Sequence, residues 1–132
     1  MTFVYILLGI IGAFIVLIML MRLFITYKSS AMKGKPVPEL SGKPGKWIKK
    51  GKGAMFYFYS PSCGACKAMT PVVKELSKNN RGVFPVDISK DMSIAGKFGI
   101  MATPTLVIIK DKMVQDIIIG PQPQHKLEEL VS

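Results

Sequence analysis

The sequence has few side chains that could bind a metal ion. Among its 132 residues are only two cysteines and one histidine, and that histidine, His125, lies far along the chain from Cys63 and Cys66. Tetrahedral zinc sites normally use four protein ligands, and no second group of ligands accompanies the cysteines. An intramolecular zinc site is therefore a poor explanation of the cysteines, and we expect no resident metal and no other cofactor.

Charged side chains are absent from the first 21 residues, which are almost entirely apolar. Residues 3–21 also lack Asn, Gln, His and Pro, and as a helix they would extend about 28 Å, close to the ~30 Å hydrocarbon thickness of a bilayer. Because no polar face appears at any helical spacing, a core helix of a small soluble domain is a poor explanation. We predict a membrane anchor over residues 1–27, ending at the interfacial aromatic Tyr27.

A cleavable signal peptide is the main alternative for this segment. Such a signal has a basic start, an apolar core of roughly 7–15 residues and a cleavage site of small residues. Here no lysine or arginine precedes the apolar run, and the run is longer than a signal core. Arg22 and Lys28 follow it, and the small residues at 29–31 come only after these charges. An uncleaved anchor fits these features better.

Acidic residues are also scarce, and the resulting positive charge is concentrated in one part of the chain. The net charge is +10, and residues 22–52 hold nine basic residues against one acid, Glu39. We expect no nucleic-acid partner, because neither a zinc-finger pattern nor an RNA-binding aromatic signature is present. A basic segment directly after a membrane span is typical of orientation signals and of contact with anionic lipid headgroups. A simple solvated linker is the alternative.

Composition divides the chain into three zones. After the anchor, residues 28–52 form a tether rich in Lys, Gly and Pro. Trp47 and Ile48 interrupt it and could start the domain with a short strand or helix. Residues 53–132 form the predicted folded domain, and no internal repeat is visible.

The apolar pattern of this domain predicts alternating strands and helices. The apolar and aromatic run at 54–59 is typical of a buried strand. Apolar residues recurring at intervals of three and four predict a helix over 64–78, kinked at Pro71. The further elements are strands at 83–88, 105–110 and 114–119, a turn at Asp111-Lys112, and helices at 92–98 and 124–131. This order predicts an α/β domain whose mixed sheet has parallel early crossovers and a late antiparallel hairpin.

The two cysteines form a C-x-x-C motif, which is compatible with several chemistries. A structural disulfide here would close a loop of only four residues and would constrain the unfolded chain little. A copper carrier is an alternative that would add nearby methionines, although these are better explained as core filler. We favour thiol–disulfide exchange because Cys63 comes between a buried strand and a helix start. Unpaired N–H groups and the helix dipole lower a thiol pKa there.

Position along the predicted helix suggests a role for each thiol. Cys63 should be the more exposed nucleophile, and Cys66, further into the helix, should be the resolving thiol. Lys67 adds positive charge beside them, or is simply a solvated helix residue.

Residues 54–131 resemble thioredoxin, a family with a mixed sheet and flanking helices. The resemblance implies exchange of protein disulfides with an unknown redox partner. It also implies a cis Thr103–Pro104 bond in a loop that faces the cysteines and pairs with an extended substrate segment. Gly120 matches a glycine near the substrate groove, and is equally well explained as a strand-ending turn. The matching segments are the aromatic strand, Cys63-Gly64-Ala65-Cys66-Lys67, Pro71, Lys97-Phe98-Gly99-Ile100, Ala102-Thr103-Pro104-Thr105-Leu106 and Gly120.

Three positions near the cysteines depart from the thioredoxin pattern. Ser62, expected on the substrate surface, stands where the family usually has Trp, and Ala65 replaces the usual Pro. Tyr57 occupies the position of a buried Asp that assists proton transfer to the second cysteine. Without that carboxylate, deprotonation of Cys66 needs another route, such as water or Lys67. The residues expected to support the cysteine pair are Gly64, Ala65, Lys67 and Tyr57.

The family's first strand and helix are also poorly represented between Lys35 and Gly53. We therefore predict a membrane-anchored thiol–disulfide oxidoreductase, with a copper carrier or a non-catalytic adaptor on the same scaffold as alternatives. The positive-inside tendency places its domain on the cytoplasmic side of the cytoplasmic membrane, whereas many anchored relatives work outside it. The direction of exchange does not follow from the sequence.

Overall fold

The computed structural model describes the backbone of all 132 residues and the side chains of all except Ser29 and Ser30. Five helices and four strands alternate along the chain in the predicted α/β order. The helices are α1 (Thr2–Ser30), α2 (Gly42–Lys49), α3 (Cys66–Asn79), α4 (Met92–Lys97) and α5 (Gln124–Val131). The strands are β1 (Ala54–Tyr59), β2 (Val83–Asp87), β3 (Thr105–Lys110) and β4 (Met113–Ile119).

Helix α1 exposes its apolar side chains. Over Thr2–Lys28 its most apolar window has a mean hydropathy of 3.0, and none of that window is buried against the rest of the chain. A core helix of the domain is therefore excluded as an explanation, because a core helix would be covered. The helix is long and apolar enough to cross a membrane, and a signal sequence near the N-terminus has the same properties.

The four strands form one mixed sheet in the order β2-β1-β3-β4. Strand β1 pairs parallel with β2 and antiparallel with β3, and β3 and β4 form the predicted antiparallel hairpin. The hairpin turns at Asp111 and Lys112, whose φ angles of 52° and 63° give the backbone twist that two-residue hairpin loops need. The mixed sheet, the parallel first crossover and the late hairpin are as the sequence pattern predicts. The second crossover, through α4, was wrongly expected to be parallel, because β3 lies antiparallel to β1.

Both faces of β1 are buried, which explains its unbroken run of apolar residues. Successive strand residues point to opposite faces, so Phe56 and Phe58 enter one cluster while Tyr57 enters the other. Helices α2 and α4 contribute to the first cluster, and α3 and α5 to the second. Burying each of these large side chains stabilises the fold by roughly 1.5–3 kcal/mol, and it holds β1 rigidly beneath the turn that follows it.

Part of the predicted tether belongs to this core. Helix α2 begins at Gly42, five residues before Trp47, where a short element was expected. Leu40 and Ile48 are only 6% and 7% exposed, and Trp47 Nε1 donates to the carbonyl of Gly53 at 2.9 Å. The carbonyl of Leu40 lies directly against Gly45, where an added Cβ would overlap it. The domain boundary at residue 52 stays a prediction, but the packed residues begin well before it.

Within the described backbone no strand lies beyond β2, so β2 forms an open edge of the sheet. The chain before α2 runs along the other edge, where Pro36 bridges Met113 of β4. The Gly82 carbonyl accepts from the Met55 N–H, and the Ile88 N–H donates to the Tyr59 carbonyl. The even-numbered residues of β2 therefore direct their backbone N–H and C=O groups towards β1. The backbone of the odd-numbered Pro85 is therefore directed to the open edge. Because proline has no N–H, Pro85 removes a donor from that edge without interrupting the pairing with β1.

From β1 onwards, the boundaries of the elements differ from the predicted ones by one or two residues at most, whereas α1 extends three residues beyond the predicted end of the anchor. The most important shift is at α3, which begins at Cys66 instead of Gly64. Gly64 and Ala65 form a turn, and Cys66 is the first helical residue. Pro71 lies inside α3 as expected, and the kink there stays a prediction.

Candidate active site

The two cysteines are joined in a disulfide at the start of α3. Strand β1 ends at Tyr59, and a short turn carries Cys63, whose N–H donates to the Ser60 carbonyl at 3.1 Å. Ser62 is exposed in the same turn, with its hydroxyl oxygen 2.8 Å from that of Ser60. Only two residues separate the cysteines, and their Cα atoms are 5.3 Å apart. The disulfide is thus a local link that holds no distant parts of the chain together.

The two sulfurs have different surroundings. Cys66 is 1% exposed, whereas Cys63 is partly exposed. The N–H of Cys66 donates to Cys63 Sγ at 3.2 Å. The first N–H groups of a helix have no partner within the helix, and they and the helix dipole favour negative charge. When the disulfide is reduced, this arrangement stabilises a thiolate on Cys63.

A pair of hydroxyl groups lies beneath Cys66. Thr70 Oγ1 donates to the Cys66 carbonyl at 2.8 Å, and Tyr57 Oη lies 2.9 Å from Thr70 Oγ1. Since threonine has a single hydroxyl proton, Tyr57 is the donor to Thr70. The contact of Tyr57 Oη with the Cys66 carbonyl is longer, at 3.4 Å. These bonds join the central strand to the first turn of α3, on which the reactive pair is built.

Tyr57 cannot act as the proton acceptor that a buried carboxylate would be at this position. Burial raises the pKa of Tyr57 above its ordinary 10.0, against the hydrogen bond with Thr70, which lowers it. The phenol is therefore neutral at physiological pH and does not accept the proton of Cys66. The departure from the thioredoxin pattern at this position changes the group under Cys66 from a base to a hydrogen-bond donor.

The structure brings the remaining predicted site residues to the same end of the sheet. The Thr103–Pro104 bond is cis, as the resemblance implied, and it directly precedes β3. Thr105 pairs with Phe58 near the end of β1 and with Ile119 at the end of β4. The Gly120 N–H donates to the Pro104 carbonyl at 2.9 Å, which ties the proline loop to the end of β4. Gly120 has a φ of 99°, a conformation that favours glycine.

A groove of about 370 Å³ lies beside the disulfide, lined by both cysteines and by charged side chains of α3, of the end of β2 and of the loop that follows it. The charged members are Lys67, Lys74, Asp87 and Lys90. Sequence reasoning identified only Lys67 among these and missed Thr70 as well. One signal was available: Thr70 follows Cys66 by four residues and Lys74 follows Lys67 by seven, spacings that share a helix face. Asp87 and Lys90 join the groove only through the packing of β2 beside β1.

The methionines of the copper-carrier alternative do not share one environment. Met69 is 3% exposed, while Met92 and Met101 are 62% and 47% exposed. The sulfur of Met69 accepts the Gln122 N–H at 3.3 Å, which fits a core residue. Among the described side chains, no group of three or more His, Cys, Asp or Glu is placed to hold a metal ion.

A half-exposed sulfur bonded to a buried one, above a rigid strand and at a helix start, is suited to accepting and passing on a disulfide. Comparison with known proteins gives the same class, the thiol–disulfide oxidoreductases. Residues 46–132 match the family model described as Thioredoxin. The chain belongs to the thioredoxin family, whose members exchange disulfides with protein substrates.

Known thioredoxins resemble the domain in both sequence and structure. The thioredoxin of Bacillus subtilis (strain 168) is 36% identical over 78 residues, which cover 57% of this chain and 75% of that protein. Among solved structures, the reduced thioredoxin pre-protein of Schistosoma mansoni has a TM-score of 0.56 and 29% identity, covering 69% of this chain and 89% of its own. Fasciola hepatica thioredoxin has a TM-score of 0.55 and 30% identity, covering 65% and 86%.

Proposed function

We propose that this chain is a membrane-anchored thiol–disulfide oxidoreductase that exchanges disulfides with proteins close to a membrane surface. The observation that carries the exchange chemistry is the hydrogen bond from the Cys66 N–H to Cys63 Sγ, at 3.2 Å. It singles out Cys63 as the sulfur whose thiolate is stabilised. The partial exposure of Cys63 allows a substrate sulfur to reach it, and the burial of Cys66 leaves it for the second step.

In the reductive direction, the Cys63 thiolate attacks one sulfur of a substrate disulfide. The substrate S–S bond breaks, a mixed disulfide forms, and a substrate thiolate leaves with the electron pair of the broken bond. Cys66 then loses its proton to water and attacks Cys63 Sγ. The second substrate thiol leaves, the substrate has gained two electrons, and the chain holds the Cys63–Cys66 disulfide. Run in reverse, the same steps oxidise a dithiol.

We further propose that the substrate lies along the loop before β3. The backbone of Thr103 would pair with an extended substrate segment, as a short added strand. Pro104, Gly120 and Ser62 would border that segment. This proposal is supported by the location of the loop at the end of the sheet where β1 ends, and by the bond from the Gly120 N–H to the Pro104 carbonyl. Gly64 and Ala65 are small and exposed, so the approach to Cys63 stays open.

Insulin reduction tests the exchange function directly. Wild type should reduce insulin, and both Cys63→Ser and Cys66→Ser should lower the rate by at least a hundredfold, since neither can complete the cycle. Cys66→Ser should in addition accumulate a mixed disulfide with insulin, visible by mass spectrometry without reductant. Equal activity in all three proteins would exclude the proposal.

Helix α1 supports the membrane part of the proposal, since its apolar surface is uncovered by the domain. The basic residues that follow it would contact anionic headgroups, each contributing about 1 kcal/mol near the surface. A cationic cavity of about 630 Å³ lies beside helix α2. Its lining includes Trp47, Lys43, Lys46, Lys50 and Arg81. We take the membrane to be the cytoplasmic one, and by the positive-inside tendency we propose that the domain lies on its cytoplasmic side.

Fractionation and N-terminal sequencing test the anchor. The full chain should stay with membranes after a carbonate wash and should retain Met1 or Thr2 as its first residue. A mature protein that begins after residue 28 would identify a cleaved signal instead. Reporter fusions at the C-terminus, one active only inside and one only outside, should give signal from the inside reporter alone.

A further inference from the structure

The groove beside the disulfide carries an excess of positive charge. Three lysines and one carboxylate are among its lining residues: Lys67, Lys74, Lys90 and Asp87. Among the described side chains, none of these lysines forms an ion pair, whereas other lysines of the chain do. Their charges therefore face the groove and the solvent uncompensated, apart from Asp87.

Two elements of the fold carry the three lysines. Lys67 and Lys74 are seven residues apart on α3 and so share one face of the helix. Lys74 Nζ lies 5.4 Å from the centre of the Tyr59 ring, a cation–π contact that keeps the charge beside the end of β1. Lys90 comes from the loop after β2. A ligand in the groove would thus meet positive charge from two elements of the fold.

The single carboxylate is already engaged. Asp87 Oδ1 accepts from the Ser89 hydroxyl at 2.6 Å and from the Ser89 N–H at 2.9 Å. The side-chain bond from Ser89 is the main reason that the pKa of Asp87 lies below its ordinary 3.8, and the charges of Lys90 and Lys74 contribute. Asp87 is therefore ionised at physiological pH and offsets one of the three positive charges, so the groove stays cationic.

We propose that this groove selects disulfide substrates whose cysteine is flanked by acidic residues, with Lys74 and Lys90 as specificity-determining residues. This inference rests on the proposed exchange function and names its substrate class. Complementary charge at the rim of an interface mainly raises the association rate, and the effect falls with ionic strength. Pro61 and Pro71 also line the groove, which suits an extended segment that places acidic side chains on either side of its cysteine. The exchange steps are unchanged; only the encounter with substrate differs.

The test compares two disulfide-linked peptides that are identical except for two Glu or two Lys beside the cysteine. The full chain is purified in a neutral detergent, fully reduced and mixed with each peptide. The second-order rate constant for oxidation of the chain by the peptide disulfide is measured. At low salt we expect the acidic peptide to react about tenfold faster than the basic one, and the difference to shrink towards twofold in 0.5 M NaCl.

Charge reversal in the groove should remove this preference. Lys74→Glu combined with Lys90→Glu should bring the ratio of the two rates to one or below. The matched control is Lys110→Glu combined with Lys112→Glu, which makes the same change in net charge at the hairpin, at the opposite end of β3. The control should keep most of the preference.

The outcomes separate the two proposals. Measurable exchange at equal rates with both peptides would overturn the acidic preference and leave the exchange function intact. An equal loss of preference in the control pair would also overturn it, because net charge and not the groove would then be responsible. Failure to react with either peptide would instead count against the proposed function itself.

Discussion

Tyr57 Oη lies 2.9 Å from Thr70 Oγ1, and Thr70 in turn donates to the carbonyl of Cys66 at 2.8 Å. This chain of two hydroxyl groups connects the central strand to Cys66, the proposed resolving thiol. It positions Cys66 without supplying a base, because the phenol is neutral at physiological pH. We expect the proton of Cys66 to leave to solvent in the groove, which both cysteines line.

Removing the phenol hydroxyl should weaken the fold and leave the chemistry in place. Tyr57→Phe deletes the donor to Thr70 in a buried site, and we expect the free energy of unfolding to fall by about 1 kcal/mol. For a domain of this size the melting temperature should drop by roughly 4–8 °C. Thermal unfolding of the oxidised full chain in detergent measures this loss, and insulin reduction should continue. A loss of exchange activity with unchanged stability would contradict this structural role and would give the phenol a direct part in the exchange.

Stability should also depend on Tyr57 at alkaline pH. Burial holds the pKa of Tyr57 in the folded chain above the 10.0 of an ordinary tyrosine, so the unfolded chain ionises first as the pH rises. The folded state then binds more protons, and stability falls with pH from about 10 upward. Urea unfolding of the oxidised protein at pH 8 and pH 10.5 should show a larger decrease for wild type than for Tyr57→Phe. Equal decreases in the free energy of unfolding would show that ionisation of Tyr57 is not the cause.

Gly120 should be needed for exchange as well as for stability. Its φ of 99° is strained for any residue with a Cβ, so Gly120→Ala should cost about 1–2 kcal/mol. Because the Gly120 N–H holds the Pro104 carbonyl, relief of that strain should displace the proline loop and lower insulin reduction severalfold. Gly51→Ala is the matched control, with a φ of 75° at the end of α2. It should destabilise the fold similarly while exchange proceeds at the wild-type rate.

The segment before residue 53 should contribute to the fold. Leu40→Ala and Ile48→Ala each truncate a side chain of the main core cluster, and each should lower the free energy of unfolding by about 2–4 kcal/mol. Lys43→Ala, on the exposed side of α2, should change it by less than about 0.5 kcal/mol. Chemical unfolding of the three variants measures these differences. If Leu40→Ala behaves like Lys43→Ala, the segment is a tether after all.

The parts of the fold that local pattern determines could be predicted from the sequence. The strand from Ala54 to Tyr59 was predictable because a strand buried on both faces has an unbroken apolar run, and the hairpin because a polar pair separates two such runs. Helix α2 was obscured by its glycines and prolines. Its burial depends on Gly45 fitting against the Leu40 carbonyl, a contact between residues that no periodicity reveals.

The cysteines could be identified from their spacing, but their surroundings could not. Thr70 matters because the fold brings Tyr57, thirteen residues earlier, within hydrogen-bonding distance. Lys90 borders the groove only because β2 pairs with β1 in a parallel register. Contacts of this kind arise from the packing of elements that are distant in sequence, so they become visible only once the fold is known.

The outward position of Pro85 bears on how copies of this protein behave together. Along the open edge of β2 the Val83 N–H is already donated to the Asn80 carbonyl, and Pro85 has none to offer. Two such edges that meet would present mainly acceptors to each other and could not form a continuous ladder. The open edge of β2 is thus a poor template for strand pairing between two copies, which should limit their aggregation where copies are crowded side by side.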